Sequence, residues 1–544
     1  MDGHFDPELL AFLRAPESYP YHPQKVSEVH THASLVFIVP PYVYKIKKPV
    51  DLGFLDFSTL EKRRYFCDRE VTLNSRLAPG IYLGVETITR QGGGFSFGGD
   101  GPVVEVAVRM HLLSANGFLD ARVKDGTAGV TEIERVARAL ADFYQNQRPV
   151  PEIEEWGLID KIRVNTNENF SQTEAFFGKT ISRAAFEAIR EFTDCSYEWR
   201  RSLFEKRVAE GWIRDCHGDL HLDHVHVTDD ALNIYDCIEF NDRFRYVDVV
   251  SDVAFLAMDL DYHGRADLSQ FLVERVSQLL GDEKMTSLMD FYKCYRAYVR
   301  GKVESLHSVV EIAGVEERTL AVDRARRYYQ LALQYALCGA GAAVLVFMGR
   351  VASGKSSLAE EVSRELGWRL VSSDKLRKTL ARVPLHERGD AESRRALYAA
   401  EMTERTYETM IRDARETLGR GHGVILDATF SKRVFRDRLR ETLGDAHVKW
   451  IIAEVDDETA RERLRMREGL RNVVSDARGE DFEMLDTAYE QPDELRGENT
   501  CRTLTISATE ETVRRLLIAL AQRQARRFCD STNLAPGGDA RAAV

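Results

Sequence analysis

The sequence predicts two successive folds in one chain, an α+β domain of two lobes and then an α/β domain with a mostly parallel sheet. Three observations predict them. Short strand-like runs crowd the first 110 or so residues and helical periodicity follows; a continuous apolar run, Ala343–Met348, opens onto a glycine-rich turn; and strands alternate with helices from there to about residue 522. At 544 residues the chain has room for several domains or lobes with sizeable cores.

Composition narrows the class. The 75 Lys and Arg against 87 Asp and Glu give a formal charge of −12, and 44% of the chain is hydrophobic. That balance excludes a largely disordered or fibrous chain and argues against a broad surface for coating nucleic acid. No apolar run reaches the roughly 18 residues of a membrane span. The opening Met-Asp-Gly-His-Phe-Asp lacks the basic and apolar stretches of a signal peptide. The eight cysteines, at 67, 195, 216, 237, 294, 338, 501 and 529, form no Cys-x-x-Cys pair. The expectation is a soluble protein of the reducing cytoplasm.

The elements follow in order. Leu35–Pro40 and Val43–Ile46 flank Pro40-Pro41 as an antiparallel hairpin. Ser58–Leu77 reads as a helix, with Ser58 as cap, Glu61 at the capping-box position and Ala78-Pro79-Gly80 as the stop. Strand-like Ile81–Thr89 and Val103–Met110 surround the cluster Gly92-Gly93-Gly94. Helices fill Thr131 to about Val208, with a break near Pro149–Pro151. Two β-rich pieces bracket His217–Phe240, and long helices occupy most of Asp248–Leu337. Near Ala340 the pattern changes to buried parallel strands, at Ala343–Met348, Arg369–Ser372, Val424–Leu426 and Val448–Ile452. No Pro/Gly-rich linker separates the halves, which predicts that they pack. The expected domains are 1–340, with a small lobe over about 25–110 and a large lobe over 111–340, then 341–524. Residues 525–544 read as a frayed, disordered tail.

The first half carries two linked motifs. His217-Gly218-Asp219-Leu220-His221 is followed by Asp223 and His224, and Ile234-Tyr235-Asp236-Cys237-Ile238-Glu239 places a carboxylate after a short apolar strand. Phosphoryl transfer to a hydroxyl needs one carboxylate to orient the acceptor and another to hold Mg²⁺ on the phosphates. Over about Leu35–Leu337 this half resembles the aminoglycoside phosphotransferase/choline kinase family of protein-kinase-like enzymes. The resemblance implies that Asp219 is the catalytic Asp, Asp236 the Mg²⁺ ligand, Lys45 the strand lysine on the α/β-phosphates and Glu70 its helix partner. Lys47 and Lys48 compete with Lys45, and Glu61 with Glu70; alternation puts Lys45 and Lys47 on one face, so the sequence leaves that choice open.

Two departures stand out. His224 occupies the position where the family usually has a second metal-ligating Asn, and Mg²⁺ prefers hard oxygens to imidazole. Asp223 and Glu239 are the alternative oxygen donors. Nor does Thr31–Val36 contain a glycine-rich loop, which leaves Ser34 and nearby backbone to cover the phosphates. His30, His32, His111, His221 and His226 match no zinc spacing and read as ordinary hydrogen-bonding residues, while Asp248 and Asp252, which open the next helix, read as structural, as a cap or a brace for the catalytic loop.

In the second half, Gly349-Arg350-Val351-Ala352-Ser353-Gly354-Lys355-Ser356 completes a G-x-x-x-x-G-K-[ST] loop between a strand and a helix. Gly349, Ser353 and Gly354 supply backbone around a polyphosphate, Lys355 reaches the β/γ-phosphates, Ser356 ligates Mg²⁺, and Ser357 follows in the first helical turn. Asp374, after Arg369–Ser372, can accept the proton of an acceptor hydroxyl, with Arg377 one turn later to grip an anion. Asp427 ends an apolar strand as a further Mg²⁺ carboxylate. In the arginine-rich segment 461–471, Arg463 and Arg467 share a face and are the candidates for a lid over the transferring phosphate. Over about Ala340–Gln522 these residues resemble the P-loop kinases of zeta-toxin-like, gluconate-kinase-like and polynucleotide-5′-kinase-like type.

Together the motifs predict a bifunctional ATP- and Mg²⁺-dependent phosphotransferase, each half acting on a hydroxyl of a small molecule. The pairing itself resembles a bacterial group of fused aminoglycoside-phosphotransferase-like and ATP-binding proteins. The rivals are a polynucleotide or RNA 5′-hydroxyl kinase in the second half and a nucleotide-binding pseudokinase in one half that regulates the other. No membrane partner is expected, and oligomeric state is not readable.

Overall fold

The computed structural model describes residues 5–310, 314–387, 391–468, 474, 478–497, 499–505 and 509–527. It divides into two compact units, residues 1–162 with 204–286 and residues 163–203 with 287–544. The sequence reading placed the change of domain near residue 340. Packing places it elsewhere, because the helices within 163–203 and 287–338 group with the second sheet.

The first unit opens with a six-stranded antiparallel sheet of β1 (Ser27–His30), β2 (Ser34–Val39), β3 (Tyr42–Lys47), β4 (Tyr82–Gln91), β5 (Gly94–Phe97) and β6 (Val103–His111), ordered β1-β2-β3-β6-β4-β5. Leu35, Phe37 and Val39 of β2 and Tyr44 and Ile46 of β3 alternate into one apolar core with Tyr19 and Leu13. The opposite face of β3 therefore presents Lys45 and Lys47. The expected hairpin forms, with Val36 opposite Lys45 and Ser34 opposite Lys47. The edge strands β1 and β5 escape sequence reading, since an edge covered on one side needs few apolar residues.

Helix Leu60–Asn74 packs on β4 and β6. Its cap is Thr59, whose hydroxyl accepts the Lys62 N–H at 3.2 Å, and not the expected Ser58, which bonds Asp56 instead. Arg63, Cys67, Glu70 and Asn74 line its buried face at helical spacing. Farther along, the unit pairs β7 (Ile213–Asp215) with β10 (Tyr246–Asp248), and β8 (Val225–Val227) with β9 (Leu232–Ile234). Helix Val249–Tyr262 is buried over almost its whole length beside Ala266–Leu280, which also packs on Val130–Asn146.

The second unit is built on a five-stranded parallel sheet of β11 (Val344–Met348), β12 (Arg369–Ser372), β13 (Val424–Asp427), β14 (Val448–Glu454) and β15 (Thr500–Leu504), ordered β12-β13-β11-β14-β15. Every residue of β11 and β13 is buried, as a strand covered on both faces requires. β15, again an edge, has no counterpart in the sequence reading. Helix Thr509–Arg526 packs along Arg183–Trp199 and Val315–Cys338. No helix of the described residues is long and apolar enough to cross a membrane. The seven described cysteines are free and buried. The expected tail beyond residue 527 lies outside the described residues.

Candidate active sites

In the first unit, one face of β3 meets helix Leu60–Asn74 and the segment after β9. Glu70, fully buried, receives both strand lysines: Lys45 Nζ lies 2.8 Å from Oε1 and Lys47 Nζ 2.6 Å from Oε2. Lys45 also reaches Asp236 Oδ1 at 2.6 Å and remains 15% exposed. Lys47, 1% exposed, turns inward to Glu239 and sits 4.8 Å above the Phe57 ring. The rivalry resolves into two depths of one network. Lys45 faces the open side, Lys47 anchors the carboxylates behind it, Lys48 bonds the Thr31 carbonyl, and Glu61 is exposed. Glu239 is thereby an ion-pair partner of a buried lysine, in place of the metal ligand expected from sequence.

The charges are mutually sustaining. Burial pushes the Glu70 carboxyl up, but Lys45 and Lys47 outweigh it and hold Glu70 below its ordinary range. Asp236 is likewise lowered against its burial, by Lys45 and then His224. For Glu239 burial prevails and its carboxyl is raised despite Lys47.

The loop bearing Asp219 is fixed through its backbone. Gly218 has φ +86°, and a Cβ there would lie 2.8 Å from the Phe244 carbonyl oxygen, so glycine is required. Asp252 accepts the N–H groups of His217 and Gly218 at 2.9 and 2.8 Å and the Tyr144 hydroxyl at 2.8 Å. Asp259 accepts the Leu222 N–H at 3.0 Å. Asp248 caps helix Val249–Tyr262 and, with Asp282, clasps buried Arg207. Asp219 is 36% exposed, its Oδ2 3.6 Å from His221 Nε2 and 3.7 Å from His224 Nδ1. His224 Nε2 is 3.5 Å from Asp236 Oδ2. Burial first, and the neighbouring His221 next, push His224 down to about 4, so its ring is neutral near pH 7. Asp236 takes φ +61° at the turn that aims it here. Ser34 is buried and bonded to Thr31 in the β1–β2 turn.

In the second unit the ends of three parallel strands converge. The loop after β11 is left-handed at Ala352 (φ +58°) and Gly354 (φ +83°), and a Cβ on Gly349 would fall 2.4 Å from the Ala453 carbonyl oxygen. Helix Lys355–Leu366 starts there, so Lys355, Ser356 and Ser357 form its first turn. Ser356 Oγ donates to Asp427 Oδ1 at 3.1 Å. Asp427 pairs in register with Phe347 of β11 and Ser372 of β12, which brings Asp374 to the same edge. Burial raises the Asp427 carboxyl, Asp374 adds to the rise, and Lys355 opposes it. Ser353 Oγ is buried with no hydrogen-bond partner among the described residues.

Arg377 and Arg463 make contacts within the fold that the sequence did not lead one to expect. Arg377 is buried, with Nη1 donating to the Leu397 carbonyl and the Thr403 hydroxyl at 2.9 Å each and its guanidinium over Tyr398. These contacts tie its helix to the neighbouring ones. Arg463 donates to the Ala352 carbonyl at 3.3 Å and to Thr505, whose hydroxyl donates to the Ser353 carbonyl at 2.5 Å. Arg463 and Thr505 thus strap the loop. Arg467 belongs to helix Asp457–Glu468, and its side chain, like Arg471, lies outside the described residues. Thr505 had no sequence signal, since its contacts join segments 42 and 152 residues away.

Residues 344–492 match the model of a family described as an AAA domain. The Uncharacterized protein Rv2004c of Mycobacterium tuberculosis (strain ATCC 25618 / H37Rv) is 33% identical over 419 residues, 77% of this chain and 81% of that one. The chain belongs to the Rv2004c family. Uncharacterized protein Mb2027c of Mycobacterium bovis shows the same identity and coverage. Among solved structures, a choline kinase from Cryptosporidium parvum Iowa II is 12% identical with a TM-score of 0.36, covering 60% of this chain and 94% of its own. A gluconokinase from Sinorhizobium meliloti 1021 is 22% identical with a TM-score of 0.25, covering 34% and 93%. At those scores the likenesses do not by themselves assign an activity. In this member of the Rv2004c family an α+β fold with a six-stranded antiparallel sheet is followed by an α/β fold with a five-stranded parallel sheet around the glycine-rich loop, the succession of classes read from the sequence.

Proposed function

We propose that the chain is a bifunctional ATP-dependent phosphotransferase in which each half moves a γ-phosphoryl group to a hydroxyl of a small molecule. The observation that carries this reading is the paired construction. Each unit links a lysine suited to phosphate with a carboxylate suited to a hydroxyl proton, Lys45 to Asp219 through Asp236 and His224, and Lys355 to Asp374 through their shared neighbour Asp427. The motif-based modules, 1–340 and 341–524, are the functional units of this proposal, and the cytoplasm is their compartment.

At the P-loop, Mg²⁺ fits the residues present. Ser356 and Asp427 offer hard oxygens, and the Ser353 hydroxyl is buried in the same loop with no hydrogen-bond partner among the described residues. Bound there, Mg²⁺ would neutralise charge on the β- and γ-phosphates. Lys355 draws the phosphates onto the helix N-terminus, Asp374 accepts the acceptor's proton, and Arg463 keeps the loop in shape. In the first unit, Lys45 holds ATP phosphate and Asp219 accepts the proton. The donor set there does not fit Mg²⁺ equally well, because an imidazole, His224, stands beside Asp236 where the ion prefers oxygen.

The test is ATP consumption by the full chain against sugars, amino-sugars, nucleosides and oligonucleotides. Asp219→Asn is expected to abolish one acceptor-dependent activity and Lys355→Ala the other, each by 100-fold or more, on the order of a lost catalytic proton acceptor or phosphate cation. Loss of both activities from either substitution would overturn independent sites. No acceptor-stimulated turnover with either class would overturn phosphotransfer.

A further inference from the structure

Asp219, His221 and His224 bring one carboxylate and two imidazoles together, and one donor atom from each lies within 4.8 Å of those of the other two. The rings of His221 and His224 are 3.9 Å apart, centre to centre. The separations Asp219 Oδ2–His221 Nε2 and His224 Nε2–Asp236 Oδ2, 3.6 and 3.5 Å, are close to the roughly 3.4 Å between neighbouring ligands of a tetrahedral ion bound at about 2.1 Å. Little movement would be needed, and the backbone is already fixed by Asp252 and Asp259.

The outer contacts also suit ligation. His221 turns Nε2 toward Asp219 Oδ2 at 3.6 Å, and its Nδ1 lies 3.5 Å from Asp223 Oδ2. His224 Nδ1 is 2.9 Å from the Asp219 carbonyl oxygen; donating there, the ring turns its Nε2 lone pair toward Asp236. A ligating histidine commonly has its second nitrogen held by a backbone carbonyl, as His224 does here. The mixed nitrogen and oxygen set selects a borderline ion such as Zn²⁺, whereas Mg²⁺ is favoured by oxygen alone.

We propose that Asp219, His221 and His224, with Asp236 as an additional oxygen donor, form a binding site for a borderline divalent ion of the Zn²⁺ class, and that the bound ion withholds Asp219 from proton transfer. The ion takes an electron pair on the Asp219 carboxylate, the same pair that would otherwise receive the hydroxyl proton. No bond is broken and no oxidant is required. The second part rests on the phosphotransferase reading of Asp219; the first part does not.

The experiment uses the full chain, stripped with chelator and then dialysed against limiting Zn²⁺ or Co²⁺ in excess Mg²⁺. Elemental analysis is expected to find one tightly held ion, and Co²⁺ to show visible absorption of a low-coordinate nitrogen–oxygen site. His221→Ala and His224→Gln, each checked by circular dichroism for an intact fold, are expected to weaken binding at least tenfold, as losing one ligand should. Lys355→Ala serves as a control in the other unit and should retain the ion. N-terminal turnover should be inhibited by Zn²⁺, restored by chelator, and no longer Zn²⁺-sensitive in the histidine variants. No stoichiometric ion, or an ion held equally well by folded histidine variants, would overturn the site. Ion binding without any N-terminal turnover would sink the activity and leave the site standing; full turnover at saturating Zn²⁺ would sink the inhibition.

Discussion

Lys45 and Lys47 differ by two positions and by what lies behind each. Removing Lys45 leaves a charge hole beside partly exposed Asp236, which water can fill. Removing Lys47 leaves Glu70 and Glu239 buried with one cation fewer between them. Stripping one partner from a buried ion pair costs about 3–5 kcal/mol. Lys47→Met is therefore expected to lower the urea midpoint markedly, whereas Lys45→Met should abolish N-terminal turnover with a smaller stability loss. Glu70 adds a pH signature. Its folded carboxyl is held below the ordinary value of 4.5, so its stabilising contribution is complete above that pH and is lost as pH falls through the depressed value. Glu70→Gln should flatten that acid limb of the stability profile, measured by denaturation as pH is lowered from about 5.5, one unit above an ordinary carboxyl, through the depressed range.

At the scale of elements, most of the fold was legible because buried strands and amphipathic helices write their periods into the sequence. The β2–β3 hairpin, β11 and β13 are examples. The edge strands β1, β5 and β15 were not, because an edge carries little apolar demand. The candidate sites were legible where spacing is local, as in Gly349–Ser356 and His217–His221. They were not where function depends on distant partners: the shared use of Glu70, the Thr505 strap, and the burial of Arg377 against Leu397 and Thr403.

Asp252 is a distant partner that the sequence does suggest, as a brace for the catalytic loop. It collects two N–H groups of the Asp219 loop from a helix about 35 residues on. Hydrogen bonds to a charged group contribute about 1.5–3 kcal/mol each. Asp252→Ala should reduce N-terminal kcat at least tenfold with a smaller change in KM for ATP, because it displaces the proton acceptor and spares the phosphate lysine. In the other unit, Thr505→Val removes a hydroxyl that supports the phosphate loop. It should raise KM for ATP severalfold more than it lowers kcat, read by initial rates.

For the whole molecule, the break in motif at residue 340 and the break in packing fall at different places, and the difference is testable by truncation. Helix Thr509–Arg526 buries Val513, Leu516, Leu517 and Leu520, and it packs on Arg183–Trp199 and Val315–Cys338, both upstream of 340. Polar ties reinforce the same contact. Arg200 donates to the carbonyls of Ala525 and Gln524 at 3.0 and 3.1 Å, Arg514 pairs with Glu187 at 2.7 Å, and Gln522 bonds Glu191 at 2.7 Å. A fragment 341–544 keeps every strand of the parallel sheet and the whole phosphate loop, yet loses both helices that cover this face. Each large apolar side chain returned to water forfeits about 1.5–3 kcal/mol, which for several at once is comparable to the stability of a domain. The fragment should therefore aggregate or bind a hydrophobic dye and melt without a cooperative transition, while the full chain carrying Asp219→Asn keeps its P-loop turnover. A monodisperse fragment that melts cooperatively and binds ATP like the full chain would show that the upstream helices are dispensable to the P-loop fold.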